Sequence, residues 1–130
     1  MRQVEQHWSD LSAPGGSRTV WELAPFPEEA LLRKLVIRQT SGTPVSFTVR
    51  LYNHESTITT TGLSEYQVTD LLNSTSPGEL IHFFGAAAPS FNNMDGSGPS
   101  TRKQAIYLEI QPSGSGAKQW KVALAGTVRA

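Results

Sequence analysis

Cysteine is absent from the 130 residues. That excludes disulfides, a thiolate nucleophile and any zinc site built on cysteine ligands. Net charge is absent as well, because 11 Lys and Arg balance 11 Asp and Glu. Such a chain has no long-range field to gather nucleic acid or an anionic membrane, and neither is expected as a partner. No stretch approaches the roughly 20 apolar residues of a membrane span. Met1 to Asp10 is polar and lacks the apolar stretch of a signal peptide. Hydrophobic residues, at 38%, and charged residues, at 17%, are both few for an ordinary enzyme. Ser, Thr, Gly, Pro, Gln and Asn fill the remainder, and the length suits one domain.

Sequence patterns for chemistry are equally scarce. There is no Gly-x-Ser-x-Gly elbow. His7, His54 and His82 are far apart, without the His-x-x-x-His or His-Glu-x-x-His spacing of a metal site. His82 shares a strand face with Leu80 and Phe84 and reads as a hydrogen-bonded sheet histidine, while His54 reads as a solvated turn residue. Glu28 and Glu29 are adjacent, so on a strand they would face opposite ways and not work as a pair. Asn93, Asp95 and Gly96 match part of a calcium loop, but Phe91 occupies the first ligand position and no Glu stands at the twelfth. The Gly-Ser-Gly pieces at 96–98 and 114–116 precede no helix and carry no phosphate-binding Lys, so they read as turns. Asn73-Ser74-Thr75 is a formal glycosylation sequon. No catalytic residue, metal or cofactor is expected.

What the chain does have is alternation. Val45, Phe47, Val49 and Leu51 alternate with Ser46, Thr48, Arg50 and Tyr52, the period of a half-buried strand. Leu31, Leu35 and Ile37 fall on one face of a second run, with Lys34, Val36 and Arg38 on the other. The Ser41-Gly42-Thr43-Pro44 turn between these runs predicts an antiparallel hairpin. Further strands are expected over Thr19 to Ala24, Thr57 to Thr61, Glu79 to Phe84, Gln104 to Gln111 and Gln119 to Thr127. Leu63 to Asn73 stays open between a short helix, capped by Ser64 and Gln67, and another strand. About eight short strands with breaker-rich connections predict an all-β fold, an antiparallel β-sandwich of jelly-roll-like kind. Its core should include Leu35, Ile37, Phe47, Val49, Leu51, Ile106, Leu108, Ile110, Trp120, Val122 and Leu124.

Ala13-Pro14-Gly15-Gly16-Ser17 breaks the chain. Residues 1–17 are therefore expected to form an N-terminal arm, and 18–130 a single sandwich domain. Val4, Trp8 and Leu11 are the apolar anchors by which the arm would dock on a neighbour. Gly85 to Lys103 reads as a loop too long for a bare connection, with Phe91, Asn93, Met94 and Asp95 as its contact residues. Tyr52 and Tyr107 are expected to face outward, where a sugar ring can stack, and Glu109 beside Tyr107 to lie on the same exposed face. Trp21 and Trp120 stay open between core and surface. Arg33, Lys34, Arg38 and Arg50 fall on the expected hairpin and read as a solvated face or a protein interface.

The strand Val45-Ser46-Phe47-Thr48-Val49-Arg50-Leu51-Tyr52-Asn53 carries a resemblance. So does Ile106-Tyr107-Leu108-Glu109-Ile110-Gln111-Pro112 with its Gly/Ser turn and closing Trp120 strand. With them the chain resembles the small all-β structural proteins that decorate or cement the heads of tailed bacteriophages. The resemblance implies a non-enzymatic virion protein, assembled in the host cytoplasm. It would be a homo-oligomer, with a trimer favoured, held against the major capsid protein or another virion protein. Two other classes stay open. One is a carbohydrate- or receptor-binding module, and the other a cupin-like enzyme, whose clustered His and carboxylate ligands the spacings do not supply.

Overall fold

The computed structural model describes residues 2–5, 9–13, 18–23, 30–52, 67–85, 89–91, 106–114 and 116–128. Among them are ten strands: β1 (Arg2–Glu5), β2 (Ser9–Ala13), β3 (Thr19–Leu23), β4 (Ala30–Gln39), β5 (Phe47–Tyr52), β6 (Leu72–Asn73), β7 (Glu79–Phe83), β8 (Ser90–Phe91), β9 (Ile106–Pro112) and β10 (Lys118–Val128). There is no helix among the described residues. The strands form two sheets, and every pairing is antiparallel. In the larger sheet β10 is central. It pairs with β1 and β2 along one side and with β4 on the other, and β4 in turn carries β7 and β8. The smaller sheet runs β3-β9-β5-β6.

The inward faces of both sheets make one core. Leu32, Leu35, Ile37, Leu80, Trp120, Val122 and Leu124 come from the larger sheet. Phe47, Val49, Leu51, Leu72, Ile106, Leu108 and Ile110 come from the smaller. All eleven residues expected in the core are in it. Period-two alternation places them there, since each strand has one apolar side to bury against the opposite sheet. Trp21 packs on this core from β3, and its Nε1 donates to the Ser12 carbonyl at 3.3 Å, tying the smaller sheet to β2.

Three expectations need correction. The runs 31–39 and 45–52 are not a hairpin: β4 pairs with β10 and β7, and β5 with β9 and β6. The turn between them carries the chain from one sheet to the other. The Gln39 side chain organises it, donating from Nε2 to Ser41 O (2.8 Å) and Thr43 O (2.9 Å) and accepting from Val45 N (3.2 Å). Those bonds replace the ladder a hairpin would supply. Gly78 packs against this turn with φ at 78°, and a Cβ there would stand 3.1 Å from Pro44 Cβ, so both conformation and space call for glycine.

The second correction concerns β4. Its register with β10 shifts between Ala125 and Gly126: Lys34 opposes Ala125, and Leu32 opposes Gly126. Arg33 is thus an extra residue, a bulge that inverts the alternation beyond it. Leu32 is fully buried beside Leu35, and Leu31, expected on the core face, is only half-buried.

The third concerns the N-terminus. The described strands of residues 1–17 lie along the chain's own β10, Arg2 opposite Val128 and Ala13 opposite Lys118. In the segment left open between helix and strand, residues 67–73 are extended. Gln67 bridges Tyr52, and Leu72–Asn73 pairs with Val49 and Thr48. Residues 63–66 and the strand expected over 57–61 lie outside the described residues.

Candidate functional site

The outer face of the smaller sheet is not a solvated surface. By alternation Tyr107 and Glu109 of β9 and Arg50 and Tyr52 of β5 point away from the core, yet Tyr52 and Tyr107 are 0% exposed and Glu109 1%. Val20 of β3 packs against the two tyrosines. This corrects the expectation of outward rings open for stacking: neither tyrosine presents its ring to solvent. The pairing explains how the polar groups come together. Glu109 lies directly opposite Arg50 in one ladder and Val20 in the other.

The Glu109 carboxylate gathers three donors. Arg18 Nε and the Tyr52 hydroxyl donate to Oε2 at 3.0 and 3.2 Å, and Arg50 Nη1 donates to Oε1 at 3.2 Å. A buried carboxylate is tolerated only when it is paired and hydrogen-bonded in this way. Burial raises the Tyr52 pKa above its ordinary value of 10.0. The neighbouring Glu109 charge and the hydrogen bond to it add to the rise, and the charges of Arg50 and Arg18 oppose it. With its oxygens engaged by two guanidiniums and a phenol, Glu109 serves as a tie between β3, β5 and β9.

The other residues singled out from sequence do not converge with this cluster. Val4 opposes Gly126 in the β1–β10 ladder. Leu11 opposes Trp120 and packs on the chain's own core. Phe91 belongs to β8, opposite Ala30, so part of the expected loop is strand. Trp8, Asn93, Met94 and Asp95 lie outside the described residues. The four basic residues of the expected hairpin are dispersed. Arg33 Nε meets Thr127 Oγ1 at 3.4 Å, the Lys34 ammonium sits 5.3 Å from the Phe83 ring centre, and Arg38 pairs with Glu79 at 3.2 Å. Arg50 stands on the other sheet with Glu109.

The surface that does stand out is the outer face of the larger sheet. Ile81 and Phe83 alternate outward on β7, and Phe83 is 68% exposed. Val36 on β4 lies opposite both Ile81 and Ala123, joining them into an apolar strip. Lys34, the Arg38–Glu79 pair and the Lys121–Asp10 pair (3.9 Å) carry charge on the same strands. Sequence reading passed over this strip because Ile81 and Phe83 sit in a mostly apolar run, where alternation does not say which face is buried.

Among the described residues no group of three or more His, Asp or Glu side chains is placed to hold a metal ion. Nor is any helix among them long and apolar enough to cross a membrane. The chain matches no known family model and no curated protein.

Proposed function

We propose that the protein is a non-enzymatic structural component of a phage virion, a decoration or cement protein that stabilises the head through subunit contacts. The observation that carries this reading is the exposed apolar pair Ile81 and Phe83, continued by the buried Val36, on the outer face of the larger sheet. Water-facing sheet surfaces hold polar side chains, and a contiguous apolar strip rimmed by charge marks a protein contact. The strand order adds support. Two antiparallel sheets, β1-β10-β4-β7 with β2 also on β10 and β3-β9-β5-β6, suit a jelly-roll-like sandwich, an architecture that capsid and lectin domains share. The Glu109 cluster fits a rigid part, since it uses its charges to tie strands together.

In this reading the strip meets the major capsid protein or another virion protein, and copies of the chain associate as a trimer in the host cytoplasm and on the virion. The experiment is mass spectrometry of purified virions from the protein's source, with sedimentation of the isolated protein. High, stoichiometric copy number and a trimer support the reading. Absence from virions overturns it.

A further inference from the structure

We propose that the mouth of the sandwich between β7 and the segment 67–72 is a binding cleft for a neutral saccharide. It opens where the edge strand of each sheet, β7 in one and β6 in the other, stands beside the core. Its volume is about 680 Å³, within the range of small-molecule sites. Gln67, Val68, Thr69, Asp70, Leu72, His82, Phe83, Phe84 and Gly85 line it, and they divide into two kinds.

One kind is apolar and anchored. Leu72 belongs to the core, and Val68 and Phe84 pack on it. The His82 ring meets Phe84 edge to face, with centroids 4.5 Å apart. The exposed Phe83 stands at the lip.

The other kind is polar. Elsewhere in the fold Glu109 and Gln39 have their side-chain polar atoms tied down, while the buried Trp120 Nε1, away from this cleft, has no acceptor. Here Asp70 is exposed and His82 half-buried, and neither makes a hydrogen bond to another described residue. That differs from the hydrogen-bonded sheet histidine expected of His82. Thr69 Oγ1 is shielded from solvent without a partner. Gln67 donates from Nε2 to the Thr69 carbonyl at 2.7 Å, which fixes its amide at the cleft and leaves its oxygen as an acceptor. One shielded hydroxyl and solvent-accessible polar groups beside an apolar floor suit a ligand with both kinds of surface.

The chemistry selects the ligand. Asp70 is the only Asp, Glu, Lys or Arg among the described lining residues, and Lys34 reaches only the Phe83 ring at the lip, so an anionic ligand would meet a negative group inside the cleft. A sugar ring has an apolar C–H face for the aromatic side chains and hydroxyls that both donate and accept. Those match Asp70 and Gln67 as acceptors and His82 as either. This inference does not rest on the head-docking reading: the cleft uses the mouth of the sandwich, shares only Phe83 with the strip, and leaves Ile81 outside it.

The test is a titration of the full-length protein with neutral monosaccharides and with linear neutral oligosaccharides, followed by NMR or calorimetry. Sulfated glycans and choline serve as the charged probes. The expected result is binding of a neutral sugar that falls about tenfold or more in Asp70→Ala and in His82→Ala. Thr69→Val, nearly isosteric, should weaken binding without lowering the melting temperature, and Ile81→Asp should bind as wild type does. Preference for oligosaccharides would assign the cleft to a polymer end or chain, and equal binding of monosaccharides to a free sugar. Absence of neutral-sugar binding, stronger binding of the anionic or cationic probe, or binding indifferent to all three cleft variants would overturn the proposal.

Discussion

Phe47 of β5 and Trp120 of β10 meet edge to face across the gap between the two sheets, with ring centres 4.8 Å apart and planes at 67°. Both are buried, so this contact is part of what holds the sheets at their spacing. Phe47→Ala should cost about 3–5 kcal/mol in urea unfolding. Trp120 also carries a buried Nε1 with no acceptor. Trp120→Phe therefore removes an unsatisfied donor along with ring volume, and should cost less than Phe47→Ala, about 1–2 kcal/mol. A Phe47→Ala midpoint equal to wild type would mean the sheets do not pack there.

Glu109 is the second point of leverage. Glu109→Gln keeps the shape but removes the Glu109 charge that faces the Arg18 and Arg50 guanidiniums. Both arginines retain some exposure, which softens the penalty to about 2–3 kcal/mol. Tyr52→Phe should cost about 1–2 kcal/mol, because it removes one donor to a charged acceptor. The double variant should cost less than the two losses added together, since both act on one network.

Alkaline titration follows from the same cluster. The folded state holds the Tyr52 proton more tightly than the unfolded chain, whose tyrosine ionises near 10.0. The contribution is therefore complete below pH 10 and is lost as pH rises through the higher folded value. Absorbance titration should show a phenol ionising above the ordinary range that Tyr52→Phe removes. In Glu109→Gln that phenol should titrate lower, because burial remains but the carboxylate charge and its hydrogen bond, which both raise it, are gone. A Tyr52 ionising at or below 10 in the wild type would contradict the buried placement.

Edge strand β7 has its own guard. Thr75 Oγ1 accepts from Ile81 N at 3.0 Å and donates to Ile81 O at 3.3 Å, occupying backbone groups that point away from β4. Free edges invite pairing with other chains. Thr75→Val should lose about 1 kcal/mol of stability and show concentration-dependent association by sedimentation. Unchanged stability and an unchanged sedimentation profile would show that the hydroxyl is dispensable.

Legibility from sequence followed the physics of each element. Phe47, Val49 and Leu51, and Ile106, Leu108 and Ile110, have one partner sheet and clear alternation, so their burial was readable. β4 was readable as a strand but not in register, because one bulged residue at Arg33 exchanges Leu31 for Leu32. β1 and β2 were missed as strands. An edge strand held by backbone pairing needs few apolar side chains, and Arg2–Glu5 has only Val4. The Glu109 cluster was missed because alternation says which way a side chain points and not whether that face is covered. The one available signal was a charge pair, Arg50 and Glu109, on two well-marked strands, and it acquires meaning only once their register is known.

The docking face is the central claim, and co-sedimentation of the purified protein with isolated phage heads tests it most directly. Wild type should travel with the heads. Ile81→Asp, on the strip but outside the saccharide cleft, should bind at least about tenfold more weakly at an unchanged melting temperature. Full binding by a folded Ile81→Asp protein, or a wild-type protein that ignores the heads, would contradict the account.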